Sequence, residues 1–106
     1  MRITGNAETR EVMIDGVRLD PKPSQKIINH SPDGFSWGYG GSGPAQLALA
    51  ITIHWAEKVK GHTKNVVKRF AIENYQMLKH LIIAKLPMDE DFDIELGDPV
   101  WAKFQK

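Results

Sequence analysis

The chain contains no cysteine among its 106 residues. That excludes disulfides, thiolate metal sites and cysteine nucleophiles, and it fits a reducing compartment. Net charge is also scarce: 14 Lys and Arg against 13 Asp and Glu leave +1. No whole-molecule field therefore points to nucleic acid or an anionic membrane. Nor is there a long hydrophobic run. The longest, residues 45–56, is interrupted by Gln46, Thr52 and His54 and is too short to cross a bilayer. The first ten residues, MRITGNAETR, are polar and predict no signal peptide. No repeat or low-complexity linker divides the sequence. An apolar fraction of 42% with 25% charged residues is that of a globular chain, and the length predicts one domain over residues 1–106.

What is present falls into two halves. In the first third, Glu11 to Ile14 alternates, Asp15-Gly16 follows, and Val17-Arg18-Leu19 resumes the apolar pattern. An Asp-Gly pair between two such runs predicts a β-hairpin. Residues 2–5 predict an additional edge strand. Residues 20–25, DPKPSQ, hold two prolines and read as an extended loop, with a short strand from Lys26 to Asn29 after it. Ser31-Pro32-Asp33-Gly34 carries turn residues, and Phe35 to Tyr39 alternates as a strand returning from that turn.

The second half reads as helices. Pro44 suits a first helical position, with Gly43 as the cap and Gln46 as half a capping box. Leu47, Ile51, Trp55 and Val59 lie on one face and Leu49, Ile53 and Ala56 on its neighbour. A helix so apolar all round is buried, and Gly61 ends it. A second helix is predicted from about Thr63 to Leu86, on a stripe of Val66, Val67, Phe70, Ala71, Met77, Leu78 and Ile82, with Pro87 stopping it. Asp98-Pro99 suggests a short terminal helix with Val100, Trp101 and Phe104 inward. The expected class is α+β: a small antiparallel sheet of three to five short strands, then a buried central helix, a second long helix and a short C-terminal helix.

Gly38 to Gly43, GYGGSG, satisfies two phosphate-binding patterns at once, G-x-G-x-x-G and G-x-x-x-x-G. A P-loop continues with Lys and then Ser or Thr, whereas Pro44 and Ala45 stand here. A dinucleotide fold needs a second parallel strand ending in an acid, but Glu57 lies inside a helix. The simpler reading is that the glycines let the chain turn sharply into the buried helix. The chemical alternative is an anion held by free amides at that helix start, with Ser42 adding a hydroxyl and Trp37 and Tyr39 stacking on a ring.

The remaining candidates are fragments. His30, His54, His62 and His80 show no i+3 or i+4 pairing, so no metal site is expected. His30 with Asp33 and either Ser31 or Ser42 makes an inventory for a triad, which only geometry can judge. Asp89, Asp91 and Asp93 copy the start of a calcium loop, but Ile94 and Val100 replace its glycine and glutamate. That segment is expected to be a solvated acidic loop folding back over a basic helix. Lys58, Lys60, Lys64 and Lys68 could instead contact a phosphate backbone.

The stretch Ser31 to Ala50, SPDGFSWGYGGSGPAQLALA, resembles the signature of a family of small uncharacterised proteins of bacteriophages, prophages and other mobile elements. Its members carry an SPxGFxWGYGGSGPAQLALA core and, upstream, a hydrophobic-Gly-x-x-Leu segment similar to Ile14 to Leu19. The resemblance implies a phage origin and a bacterial cytoplasm and transfers no catalytic residue. The leading expectation is a non-enzymatic accessory protein, without cofactor or membrane association, that binds a host or phage macromolecule. Its contact surface would comprise His30, Trp37, Tyr39, Gly40, Gly41, Ser42 and Gly43, with Trp37 and Tyr39 as aromatic anchors. A nucleotide- or phosphate-binding protein using the helix start after Gly43, and a nucleic-acid binder using the lysine face, are the alternatives.

Overall fold

The computed structural model describes residues 1–97. Four strands form an antiparallel sheet: β1 (Arg2–Gly5), β2 (Val12–Ile14), β3 (Val17–Arg18) and β4 (Phe92–Glu95). Their spatial order is β3-β2-β1-β4. The hairpin between β2 and β3 is the one the Asp-Gly pair predicts. Asp15 and Gly16 both take positive φ, 49° and 81°, so Ile14 pairs with Val17 across a two-residue turn. Ile3, Gly5, Val12, Ile14 and Phe92 line the buried face, while Arg2, Asp93 and Glu95 stand on the open one. Two-residue alternation therefore separates core from solvent.

Three α-helices cover the apolar face. These are α1 (Lys22–Ile27), α2 (Ser42–His54) and α3 (Lys64–Leu81). A π-helical turn, Trp55–Val59, extends α2, and a 3₁₀ turn, Ile83–Lys85, follows α3. Every residue of α2 from Gly43 to Ile53 is buried, as its all-round apolar pattern requires. It packs most extensively on α3, which turns Val67, Ala71, Asn74, Tyr75 and Leu78 inward. One apolar cluster joins these side chains to Ile3, Val12 and Ile14 of the sheet. The molecule is thus the expected α+β arrangement, with strands first and helices second except for the return of β4.

Several local expectations are corrected. Residues 20–25 are not an extended loop and residues 26–29 are not a strand. Lys22–Ile27 is α1, with Pro21 at its cap and Pro23 in its first turn, where a missing N–H costs nothing. Phe35 to Tyr39 joins no sheet; its side chains alternate, but among the described residues its main chain is held by the Gly38 N–H to the Ile83 carbonyl at 3.0 Å. Helix α2 begins at Ser42 with Gly41 as its cap, earlier than the proline suggested. Helix α3 ends at Leu81, not Leu86. Met77 lies outside its buried stripe, 46% exposed.

Strand β1 is interior, because the acidic segment forms β4 beside it instead of a loop over the basic helix. Ile3 faces Ile94 and Gly5 faces Phe92. The acids meet cations and amides of the N-terminal region: Asp93 pairs with Arg2, Asp91 accepts the Ala7 N–H, and Glu95 lies 3.2 Å from the Met1 ammonium. The terminal helix expected from Asp98 lies outside the described residues.

Candidate functional site

The glycine loop is built from both ends of the fold. Trp37, fully buried, stacks edge-on against Phe92 at 4.7 Å and donates its indole N–H to the Glu90 carbonyl at 3.1 Å. The Arg10 guanidinium lies 4.6 Å over the same ring and donates to the Met88 carbonyl at 2.8 Å. That pins the β1–β2 connection and the approach to β4 around one indole. Trp37 is accordingly a core residue and offers no aromatic face to a partner.

Gly38 follows at φ +86°, and a Cβ there would collide with the Met88 main chain. Gly43 is buried beneath Ser36, whose Cβ would lie 2.6 Å from an added methyl. Both glycines serve close approach. Between them the loop opens outward. Gly40 has nothing within 4 Å of where a Cβ would stand, and the Tyr39 ring covers Gly41. Tyr39 is 43% exposed. The first turn of α2 is a poor anion cradle. Pro44 has no N–H, the Ala45 N–H is bonded to the Gly41 carbonyl at 3.1 Å, and Gly43 is buried, so that Ser42 is the exposed residue of the turn.

His30 belongs to a different constellation. Its Nε2 lies 2.8 Å from the Tyr75 hydroxyl, which also accepts a hydrogen bond from Gln76 at 2.9 Å. The rings of His30 and Tyr75 are tilted against each other at 5.5 Å. No contact with Asp33, Ser31 or Ser42 completes a triad among the described residues. The loop that carries His30 is tied to α2 by Gln46, fully buried. Its side-chain oxygen accepts the N–H groups of His30 and Ser31 at 2.8 and 2.9 Å. Its amide nitrogen donates to Ser24 Oγ and the Ile28 carbonyl at 2.8 and 3.1 Å. Gln46 is therefore a hub joining α1, the His30 loop and α2, not a helix cap. The one signal for it in the sequence is a lone amide in an otherwise apolar helix.

The lysines are divided. Lys58 is paired with Glu57 at 3.2 Å, and the Lys60 ammonium lies 5.3 Å from the centre of the Trp55 ring. Lys64 and Lys68 are exposed on the first turns of α3. Among the described residues no group of three or more His, Asp or Glu side chains could hold a metal ion. No helix among them is long and apolar enough to cross a membrane.

Fold and loop together define a small α+β protein in which an aromatic and glycine-rich segment, locked by Trp37 and Gly38, delivers the chain into a buried helix. The chain belongs to the Family of unknown function (DUF6166), whose model matches residues 2–98. No curated protein and no solved structure matches it.

Proposed function

We propose that the protein is a non-enzymatic accessory protein of a bacteriophage or other mobile element, acting in the bacterial cytoplasm by binding a host or phage macromolecule. The observation that carries this reading is Tyr39. A large amphipathic side chain stands 43% exposed on a loop anchored by buried contacts on both sides. Tyrosine presented without much conformational freedom is the residue type that anchors protein interfaces. Gly40 and Gly41 beside it let a partner approach the main chain, and Ser42 supplies a hydroxyl. The resemblance of Ser31 to Ala50 to the mobile-element signature supplies the setting. His30, turned to Tyr75, supports the loop rather than forming part of a catalytic set.

The test places a photo-crosslinking phenylalanine at position 39, or at exposed Glu8 as a control, in bacterial cells. A discrete adduct from position 39 and none from position 8 is the expected result. Identical patterns from both positions would refute the assigned surface. A hydrolytic or transfer activity abolished by Ser42→Ala or His30→Ala would refute the non-enzymatic reading.

A further inference from the structure

The apolar layer beneath the sheet is left open on one side. Strand β3 is one of the sheet's two outer strands, and its Val17 is 69% exposed although Val17 extends from the core-facing register of the hairpin. Between this strand and the second half of α2 runs a groove of about 260 Å³, floored by Val17, Leu19, Pro23, Ala50 and Ile53. It lies at the opposite end of α2 from the glycine loop and does not depend on the reading given for Tyr39.

The strand wall of the groove has main-chain groups to offer. Leu19 donates its N–H to the Val12 carbonyl at 2.8 Å. By antiparallel alternation Val17 and Leu19 turn their amides and carbonyls toward β2, so Arg18 turns its own outward. Neither the N–H nor the C=O of Arg18 has a partner among the described residues. An open strand edge beside a helix, with an apolar slot between them, is the arrangement in which an extended peptide adds as a further strand and drops alternate side chains into the slot. The edge offers one outward N–H and one outward C=O, both on Arg18, which a residue of an extended peptide meets with its own carbonyl and amide.

Charge selects among peptides. Two cations at the rim are already matched, Arg18 with Glu11 at 3.9 Å and Lys58 with Glu57 at 3.2 Å. Asp20 also lines the groove; its carboxylate accepts the Lys22 N–H and meets no cation among the described residues. Asp20 is thus the carboxylate of the rim left without an ion-pair partner among the described residues. We infer that the groove between β3 and α2 is a docking site for an extended segment of another protein. That segment carries an apolar side chain for the slot and a lysine or arginine that reaches Asp20.

A synthetic peptide alternating valine with threonine and bearing one terminal lysine tests this by amide chemical-shift titration of the ¹⁵N-labelled full chain. Saturable shifts are expected at Val17 to Leu19, Ala50, Ile53 and His54. A version with prolines in place of the threonines should bind far more weakly, having lost every second main-chain donor and the ability to pair as a strand. Asp20→Asn keeps the oxygen that caps Lys22, so the fold is retained, and should weaken the lysine peptide by about 2- to 5-fold, the range of an exposed ion pair. Asp20→Lys should invert the preference toward a glutamate-bearing peptide. Equal binding of the proline version, shifts confined to the Tyr39 loop or the β4 edge, or no shift at millimolar peptide would overturn the proposal. So would two results without peptide. Shifts of the groove amides on Trp101→Ala would mean that the chain's own residues occupy the site. Shifts that grow with protein concentration would mean that a second copy does.

Discussion

Gly38 and Gly40 stand two residues apart in one loop and should respond in opposite ways to alanine. Gly38 takes φ +86° with its missing side chain aimed at the Met88 main chain, which cannot yield without moving the approach to β4. Gly40 has ordinary φ and open space. Gly38→Ala should cost on the order of 2–4 kcal/mol, combining left-handed strain with overpacking. Gly40→Ala should stay within about 0.5 kcal/mol of the parent. Denaturant midpoints read both, and comparable losses would show that the loop is uniformly constrained. The sequence presents four glycines between residues 38 and 43 as one motif. It could not divide them, because what distinguishes Gly38 and Gly43 is a neighbour distant or turned back in space, Met88 or Ser36. Trp37 was legible as important but not as buried, since its partners Arg10, Glu90 and Phe92 come from both ends of the chain.

At the level of elements, helices α2 and α3 and the β2–β3 hairpin were legible because each carries a period long enough, or a turn pair specific enough, to decide its form. Helix α1 was not. Six residues make less than two turns, two prolines lie at its start, and no apolar period develops. What stabilises it is tertiary: Ser24 is buried and bonded to Gln46, and Lys22 is capped by Asp20. Gln46→Leu therefore tests the element rather than the residue. It would remove four hydrogen bonds, leaving the Ser31 N–H without its acceptor and the His30 N–H with only the Ile28 carbonyl at 3.2 Å. Orphaned groups cost about 1–3 kcal/mol each, and partial access to water relieves some of that, so a loss of about 2–4 kcal/mol is expected. Hydrogen exchange should quicken first at His30, Ser31 and Ile28, ahead of the α3 core at Leu78. Uniform quickening would mean that Gln46 supports the whole fold and not this junction.

Across the whole molecule, charge is arranged by topology rather than by neighbourhood in sequence. The acidic segment after Pro87 hid a strand because aspartates and glutamates mask the alternation of Phe92, Ile94 and Leu96. Its partners are cations at the opposite terminus, which no local pattern reveals. Burial at one end of α2 and the Arg2–Asp93 pair give the stability a pH dependence with two separate windows. Burial, with Lys58 adding to it, holds the His54 pKa below its ordinary 6.5, against smaller opposing pulls from Asp15 and Glu57. The unfolded chain therefore takes up this proton before the folded chain does. By linkage, His54's contribution is complete above 6.5 and is withdrawn as pH falls through the lower folded value. Asp93, held below its ordinary 3.8 chiefly by the hydrogen bond from Arg2, acts the same way only in stronger acid. Between about pH 7.5 and pH 5 the parent should lose stability while His54→Gln loses less, Asp93 remaining ionised in both. Urea midpoints at the two pH values measure the difference. Equal losses would place the acid sensitivity elsewhere than the α2 terminus beside the β3 groove.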